Sequence, residues 1–449
     1  MRIVRIQVTG LFDTFDHDVP LNAEDRITIM HGPNGFGKTV LLSMINALFH
    51  FRLSELRRAP FSALSIHFQD GHRLDVKRPT ARTSREGGEQ TTSQSGLVFE
   101  YRKGRGRAKT YEHHFAPRRH RYTPLAMIEP ITGLQRIGVQ RWLDRSTGQK
   151  LDYEAVMELF GDVLPAAHGA SRPPQWLREV TSSIPVHFVE AQRLLSFAES
   201  EDVEERKRPT PVPVVEKYAK ELAEAMQSKL AEYATLSQSL DRTFPTRLVQ
   251  GNLTANPTLD HLRARLSELE EKRTRLMAAG LLDKEAEIDF GELQKIDESN
   301  RNVLSVYVQD VTKKLAVFDA LTNKIDLLAK TINSRFLFKR MAISRTEGFV
   351  FQTPAGKPLV ARNLSSGEQH ELVLLYELLF RVARNSLVLV DEPELSLHVV
   401  WQQQFLRDLQ EITRLGGFDV VIATHSPQII HDRWDLTVEL KGPANVAAP

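Results

Sequence analysis

Eight consecutive residues near the start of the chain carry its most specific chemistry: Gly32-Pro33-Asn34-Gly35-Phe36-Gly37-Lys38-Thr39. Glycines spaced ahead of a lysine and a hydroxyl are the pattern of a loop that wraps phosphate. Wrapping turns backbone N–H groups inward toward an anion, and glycine adopts the necessary angles without strain. Lys38 is placed to reach the terminal phosphates and Thr39 to ligate Mg2+. The loop is expected to open a helix, whose N-terminal dipole favours the anion.

A second constellation lies far along the chain. Leu387-Val388-Leu389-Val390 is an unbroken apolar run followed by Asp391 and Glu392. Such a run reads as a parallel strand buried on both faces, and its carboxyl end is where open α/β sheets bind ligands. Asp391 is suited to hold Mg2+, directly or through water. Glu392 is suited to orient and deprotonate an attacking water. Taken alone, the pair also reads as a strand with an acidic cap.

Leu364-Ser365-Ser366-Gly367-Glu368-Gln369 stands between the two, ahead of a long helical segment. On these three motifs and their order the chain resembles the ABC-type ATPases of the SMC, RecF and OLD branch. The resemblance covers roughly residues 1–80 and 340–430. It implies ATP and Mg2+ as ligands and a site split between two copies, in which Ser365 and the backbone near Gly367 bind the γ-phosphate held by the opposite copy. It implies His425, in Ala423-Thr424-His425-Ser426, as a switch histidine at that phosphate. It also implies Gln192, in Glu190-Ala191-Gln192-Arg193, as a sensor of Mg2+ and the attacking water. Leu395-Ser396-Leu397-His398 would be the loop that crosses between copies. Two positions depart from the family pattern: Ser366 stands where a glycine is commoner, and Val399 where a proline is frequent.

The elements that must position these residues give an α/β class: an ABC-type P-loop head, with a mixed sheet and an antiparallel β subdomain, interrupted by a short antiparallel helical coiled-coil arm. The expected boundaries are 1–198 for the N-terminal lobe, 199–338 for the arm, 339–440 for the C-terminal lobe and 441–449 for a disordered tail. Val4, Ile6 and Val8 alternate like a half-buried strand, and Ile66, Phe68, Leu74 and Val76 flank an Asp70-Gly71 turn. Residues 81–96 read as an exposed polar loop, 124–180 as mixed and mostly helical, and the prolines at 209, 211 and 213 as a linker. In the arm, Val311, Phe318, Ile325 and Ile332 recur every seven residues with Leu315 and Leu328 between them, the seam of packed helices.

Of the 449 residues, 41% are hydrophobic and 26% charged, the balance of a soluble chain with a sizeable core. The net charge of +2 confines any nucleic-acid contact to a local patch. The basic stretch from Arg102 to Arg121 is the candidate, for DNA or an acidic protein, although the small net charge favours reading it as a solvated surface hairpin. Cysteine is absent, which excludes disulfides and thiol chemistry. No apolar stretch is long enough to span a membrane, so a cytoplasmic protein is expected. Few residues follow His425, so any nuclease activity is expected in another chain. Within its branch the profile is most similar to stand-alone ATPases of bacterial antiphage defence operons, PARIS-type first and Septu-type second. That resemblance implies a homo-oligomeric sensor and scaffold. It would hold a separate Toprim-type effector nuclease and release it when a phage-encoded trigger protein binds. The alternative is a RecF- or SMC-like ATPase that clamps DNA in repair or maintenance.

Overall fold

The computed structural model describes residues 1–79, 96–104, 106–114, 128–129, 132–138, 141–143, 150–153, 156, 173–189, 195–197, 211–250, 257–282, 300–395 and 397–442. The polar stretch 81–95, the segment with Gln192, residues 199–210, Ser396 and the tail from 443 lie outside the described residues. The chain divides into two compact units, Met1–Pro211 with Arg381–Pro449, and Val212–Phe380.

The first unit is built on a parallel sheet in the order β11 (Val186–Val189), β17 (Leu387–Asp391), β18 (Asp419–Thr424), β3 (Ile27–His31), β19 (Thr437–Glu439). The middles of its inner strands are mostly apolar because both faces are covered. Ile27, Ile29 and Met30 of β3 and Val388, Leu389 and Val390 of β17 are at most 1% exposed. Helix α1 (Lys38–Phe49) packs on β11, β17 and β18, burying Leu41, Leu42, Ile45 and Leu48 at the spacing of one helical face. Helices α2 (Leu53–Arg58) and α3 (Gln175–Ser182) pack against α1. Helices α9 (Val399–Gly416) and α10 (Pro427–Ile430) pack on each other.

Beside this sheet lies an antiparallel one in the order β2 (Phe15–Pro20), β1 (Ile3–Leu11), β4 (Ala63–Phe68), β5 (His72–Lys77), β6 (Gly96–Lys103), β7 (Lys109–His114). The expected Asp70-Gly71 turn joins β4 to β5, with Gly71 at φ +76°. A bulge between Ile3 and Arg5 offsets the alternation of β1, so Ile3, Ile6 and Val8 are buried and Val4 only half-buried. The parallel and antiparallel sheets together are the expected α/β architecture.

Two segments differ from expectation. Where 124–180 reads as mixed and mostly helical, the described part holds α3 and helical residues at 128–129, 132, 153 and 156, but also an unexpected small antiparallel sheet, β8 (Gln135–Gly138), β9 (Arg141–Leu143) and β10 (Lys150–Asp152). Trp142 of β9 and Leu151 of β10 bury there with Leu134 and Val156, and the strands are too short to display a period of two. Of the expected proline-rich linker, the last residues form a strand: β12 (Leu195–Phe197) and β13 (Pro211–Pro213) are short extended pieces.

The second unit contains α4 (Val214–Gln250), α5 (Leu259–Ala278), α6 (Arg301–Ala316), α7 (Asp319–Arg335), a sheet of β14 (Arg340–Ser344), β15 (Gly348–Gln352) and β16 (Pro358–Leu359), and α8 (Ser366–Tyr376). Helix α6 packs on both α4 and α5, and Arg247 of α4 grips the buried Asp310 of α6 with two hydrogen bonds of 2.6 Å. The seven-residue seam persists across a break. Leu315, Phe318, Ile325, Leu328 and Ile332 are buried although α6 ends at Ala316 and α7 begins at Asp319. Two ion pairs tie the segment ending the arm to α8. Arg335 pairs with Glu371, both side chains at most 2% exposed, and Lys339 donates to the two oxygens of Glu368 at 2.8 and 2.5 Å.

Candidate functional site

The loop from Gly32 to Gly37 leaves the end of β3 and enters α1, as its sequence requires. Gly35 and Gly37 sit at φ +89° and +82°, in the left-handed region that favours glycine. At Gly37 a Cβ would stand 2.5 Å from Leu11 Cδ2 and 3.2 Å from Phe12 Cε2, so the turn lies directly on the antiparallel sheet. At Gly35 a Cβ would meet nothing within 4 Å, and Pro33, Asn34 and Gly35 are exposed. Phe36 anchors the loop: its ring packs on Phe15 at 5.1 Å, and its carbonyl meets His17 Nε2 at 2.8 Å.

Lys38 is buried, and its ammonium donates to the carbonyls of Gly32 and Pro33 at 2.7 and 3.2 Å. Its charge is therefore held in the mouth of the loop, 4.0 Å from Glu392 Oε1. Thr39 is exposed, and its hydroxyl donates to Asp391 Oδ1 at 3.0 Å. Octahedral Mg2+ places neighbouring oxygen ligands about 3 Å apart, so a hydroxyl and a carboxylate at this separation fit one ion.

Beyond Asp391 the chain turns sharply. Glu392 has φ +43°, an uncommon angle for a residue with a side chain, and its N–H donates to Ala423 O of β18 at 2.8 Å. The parallel pairing of β17 with β18 thus brings Glu392 beside the residues that follow β18. His425 Nδ1 lies 2.6 Å from Glu392 Oε2 and 3.3 Å from Glu394 Oε1. One ligand atom each from Glu392, Glu394 and His425 falls within 4.8 Å of the others. Burial, followed by the neighbouring Glu394 carboxyl, pushes the Glu392 carboxyl up to about 7, against the opposing pull of His425.

Sequence reasoning missed Glu394, although an acid two residues beyond Glu392 was a visible signal. Its side chain is 7% exposed, and its Oε1 accepts from the Thr424 hydroxyl at 2.6 Å and from His425 N–H at 3.2 Å.

In the second unit Ser365 is the N-cap of α8 in a complete capping box with Glu368. The Ser365 N–H and hydroxyl donate to Glu368 Oε2 at 2.8 and 2.9 Å, and Glu368 N–H donates back to Ser365 Oγ at 3.4 Å. Burial raises the Glu368 carboxyl, but hydrogen bonds from Lys339 and Ser365 outweigh it and hold the group below its ordinary range. Gly367 lies in the first turn, where a Cβ would meet nothing within 4 Å. In the expected crossing loop His398 caps α9, and Leu395, Val399 and Val400 are more than half exposed. Gln192 is outside the described residues.

A family model described as "AAA domain, putative AbiEii toxin, Type IV TA system" matches residues 203–431. Among solved structures the chain is similar to the Smc head domain of Pyrococcus furiosus with an extended coiled coil, bound to the C-terminal domain of ScpA. Identity there is 10%, coverage is 96% of this chain and 91% of that one, and the TM-score is 0.32. The SMC head domain from Thermotoga maritima gives 10% identity, the same coverages and a TM-score of 0.33. No curated protein matches the sequence.

Proposed function

This chain belongs to that AAA-domain family, and on this premise we propose that it binds and hydrolyses ATP at a site shared between two copies. The observation that carries the reading is the hydrogen bond of Thr39 to Asp391, with Lys38 4.0 Å from Glu392, and Glu392 and His425 just past the ends of adjoining parallel strands.

The proposed chemistry follows from these groups. Backbone N–H groups of residues 32–37 and the start of α1 surround the phosphates. Lys38 exchanges its bonds to Gly32 and Pro33 for phosphate oxygens. Thr39 and Asp391 would hold Mg2+, which when bound neutralises charge on the β- and γ-phosphate oxygens. Glu392 orients the attacking water and accepts its proton. A carboxyl poised near neutral pH suits that task. His425 steadies Glu392 through Nδ1 and faces the γ-phosphate. Ser365 and the N–H groups near Gly367 serve the nucleotide of a second copy.

In its biological setting we place the chain among the stand-alone antiphage-defence ATPases, PARIS-type before Septu-type. Closure of the shared site there signals to a separate Toprim-type effector nuclease, held until a phage-encoded protein binds. Support for this comes from the resemblance of the motifs and of the Val186–Leu195 sequence segment. The test is affinity purification of the chain with its neighbouring gene products, with and without ATP. Copurification of a small Toprim protein in the absence of DNA supports the scaffold. Binding to DNA that stimulates hydrolysis and weakens with salt favours a repair or maintenance ATPase instead.

A further inference from the structure

Glu394 is not among the groups assigned above to nucleotide, metal or water, yet its side chain is more buried than that of Glu392, 7% against 16% exposed. Burying a carboxylate is costly unless its oxygens are engaged. Here one oxygen does several jobs. Oε1 accepts from the hydroxyl of Thr424, a residue fully buried at the end of β18, and from the His425 backbone N–H, and it lies 3.3 Å from His425 Nδ1. The Glu394 backbone is fixed as well, because its carbonyl accepts from Gln402 Nε2 at 3.1 Å and from Leu397 N–H at 3.4 Å. The residue therefore joins three pieces: the turn after β17, the end of β18 and the first turns of α9. One atom of the His425 ring, Nδ1, faces both carboxylates.

We infer that Glu394 is a positioning residue, a buried strut that holds His425, and through it the Glu392 carboxylate, in one fixed arrangement at the γ-phosphate. The inference rests on reading Lys38, Glu392 and His425 as an ATP-hydrolysing site. Without Glu394, Thr424 and the His425 N–H lose their acceptor, and the imidazole keeps one of its two carboxylate neighbours. A displaced ring misaligns Glu392 by a fraction of an ångström to about 1 Å, a change that can cost about 100-fold in rate without altering nucleotide binding.

The test compares Glu394→Ala, Glu394→Gln and Thr424→Val with the wild-type chain, measuring ATP dissociation constants and kcat separately and verifying each fold by thermal melting. Glu394→Ala is expected to lower kcat by about 10- to 100-fold while ATP affinity changes by less than about threefold. Glu394→Gln retains an oxygen for Thr424 and the His425 N–H, and is expected to recover kcat to within about threefold of wild type at pH 8. Thr424→Val keeps the carboxylate and removes one tie, so an intermediate loss is expected even if Glu394→Ala does not fold. Hydrolysis that Glu392→Gln abolishes, but that Glu394→Ala or Thr424→Val leaves within about twofold, overturns the assignment of Glu394 alone. A wild-type chain that hydrolyses no ATP overturns the site reading and this inference with it.

Discussion

The Thr39 hydroxyl donates a 3.0 Å hydrogen bond to Asp391 Oδ1, although 352 residues separate the two in sequence. The parallel order β17-β18-β3 brings them together: Thr39 lies in the first turn of the helix after β3, and Asp391 closes β17. If they share one Mg2+, Asp391→Asn should raise the Mg2+ concentration needed for half-maximal hydrolysis by at least about tenfold. Binding of nucleotide in EDTA should change little. Mg2+ titrations of ATPase rate are the measurement, and an unshifted midpoint would remove Asp391 from the metal site.

Gly37 cannot accept a side chain without moving Leu11, which is fully buried in the antiparallel sheet. Its φ of +82° is also unfavourable for alanine. Gly37→Ala should therefore destabilise the fold by about 1–3 kcal/mol and weaken nucleotide binding together. Lys38→Ala should weaken nucleotide binding by about 100-fold with little loss of folding stability. Thermal melting beside fluorescent-nucleotide titration separates the two.

Glu392 gives a pH signature. Its carboxyl is pushed up to about 7 by burial and by Glu394, and a proton acceptor must be ionised to act. kcat/KM for ATP should rise as pH passes through about 7 and level off above it, since this quantity reports the free enzyme. Glu394→Gln removes the neighbouring negative charge, so the midpoint should move down. The same group sets a stability slope. Between the ordinary carboxyl range and about 7 the folded chain keeps a proton that the unfolded chain releases, so this contribution to stability falls as pH rises through that window. Glu392→Gln should flatten that part of the stability profile. A rate profile flat from about pH 5.5 to about 8.5 would contradict the role of Glu392 as acceptor.

The sequence exposed the glycine-rich loop between β3 and α1 and the strands around it because their constraints are local. Left-handed turns need Gly35 and Gly37, and strands buried on both faces need runs such as Leu387 to Val390. The seam through Phe318 and Ile325 was legible for the same reason, though not its break at Val317, where a buried Phe318 keeps the spacing while the helix restarts. The sheet β8–β10 was not legible: its strands span three or four residues and bury few apolar side chains, so no period emerges. Glu394 was missed because its importance lies in contacts with Thr424 and His425, about 30 positions away, that only strand pairing creates.

Arg335 and Glu371 form an ion pair sealed from water. Burial lowers the Arg335 guanidinium to about 10, so leaving it without its carboxylate is costly. Glu371→Ala should destabilise the second unit by about 3–5 kcal/mol. The double change Arg335→Met with Glu371→Leu should recover most of that loss, because a packed apolar pair needs no partner charge. Denaturant unfolding of the three variants measures it, and equal stability of Glu371→Ala and wild type would refute the pairing.

The shared site is tested most directly by mixing two inactive variants, Lys38→Ala and Ser365→Ala, and measuring ATP hydrolysis across mixing ratios. On the proposed reading Lys38 serves the nucleotide of its own copy and Ser365 that of the other, so a mixed pair would retain one complete site. At equal amounts, random pairing into dimers should restore about a quarter of wild-type activity per site. Each variant alone should stay near zero. Activity that remains at the level of the separate variants at every ratio, in chains shown to exchange partners, would contradict a site divided between two copies.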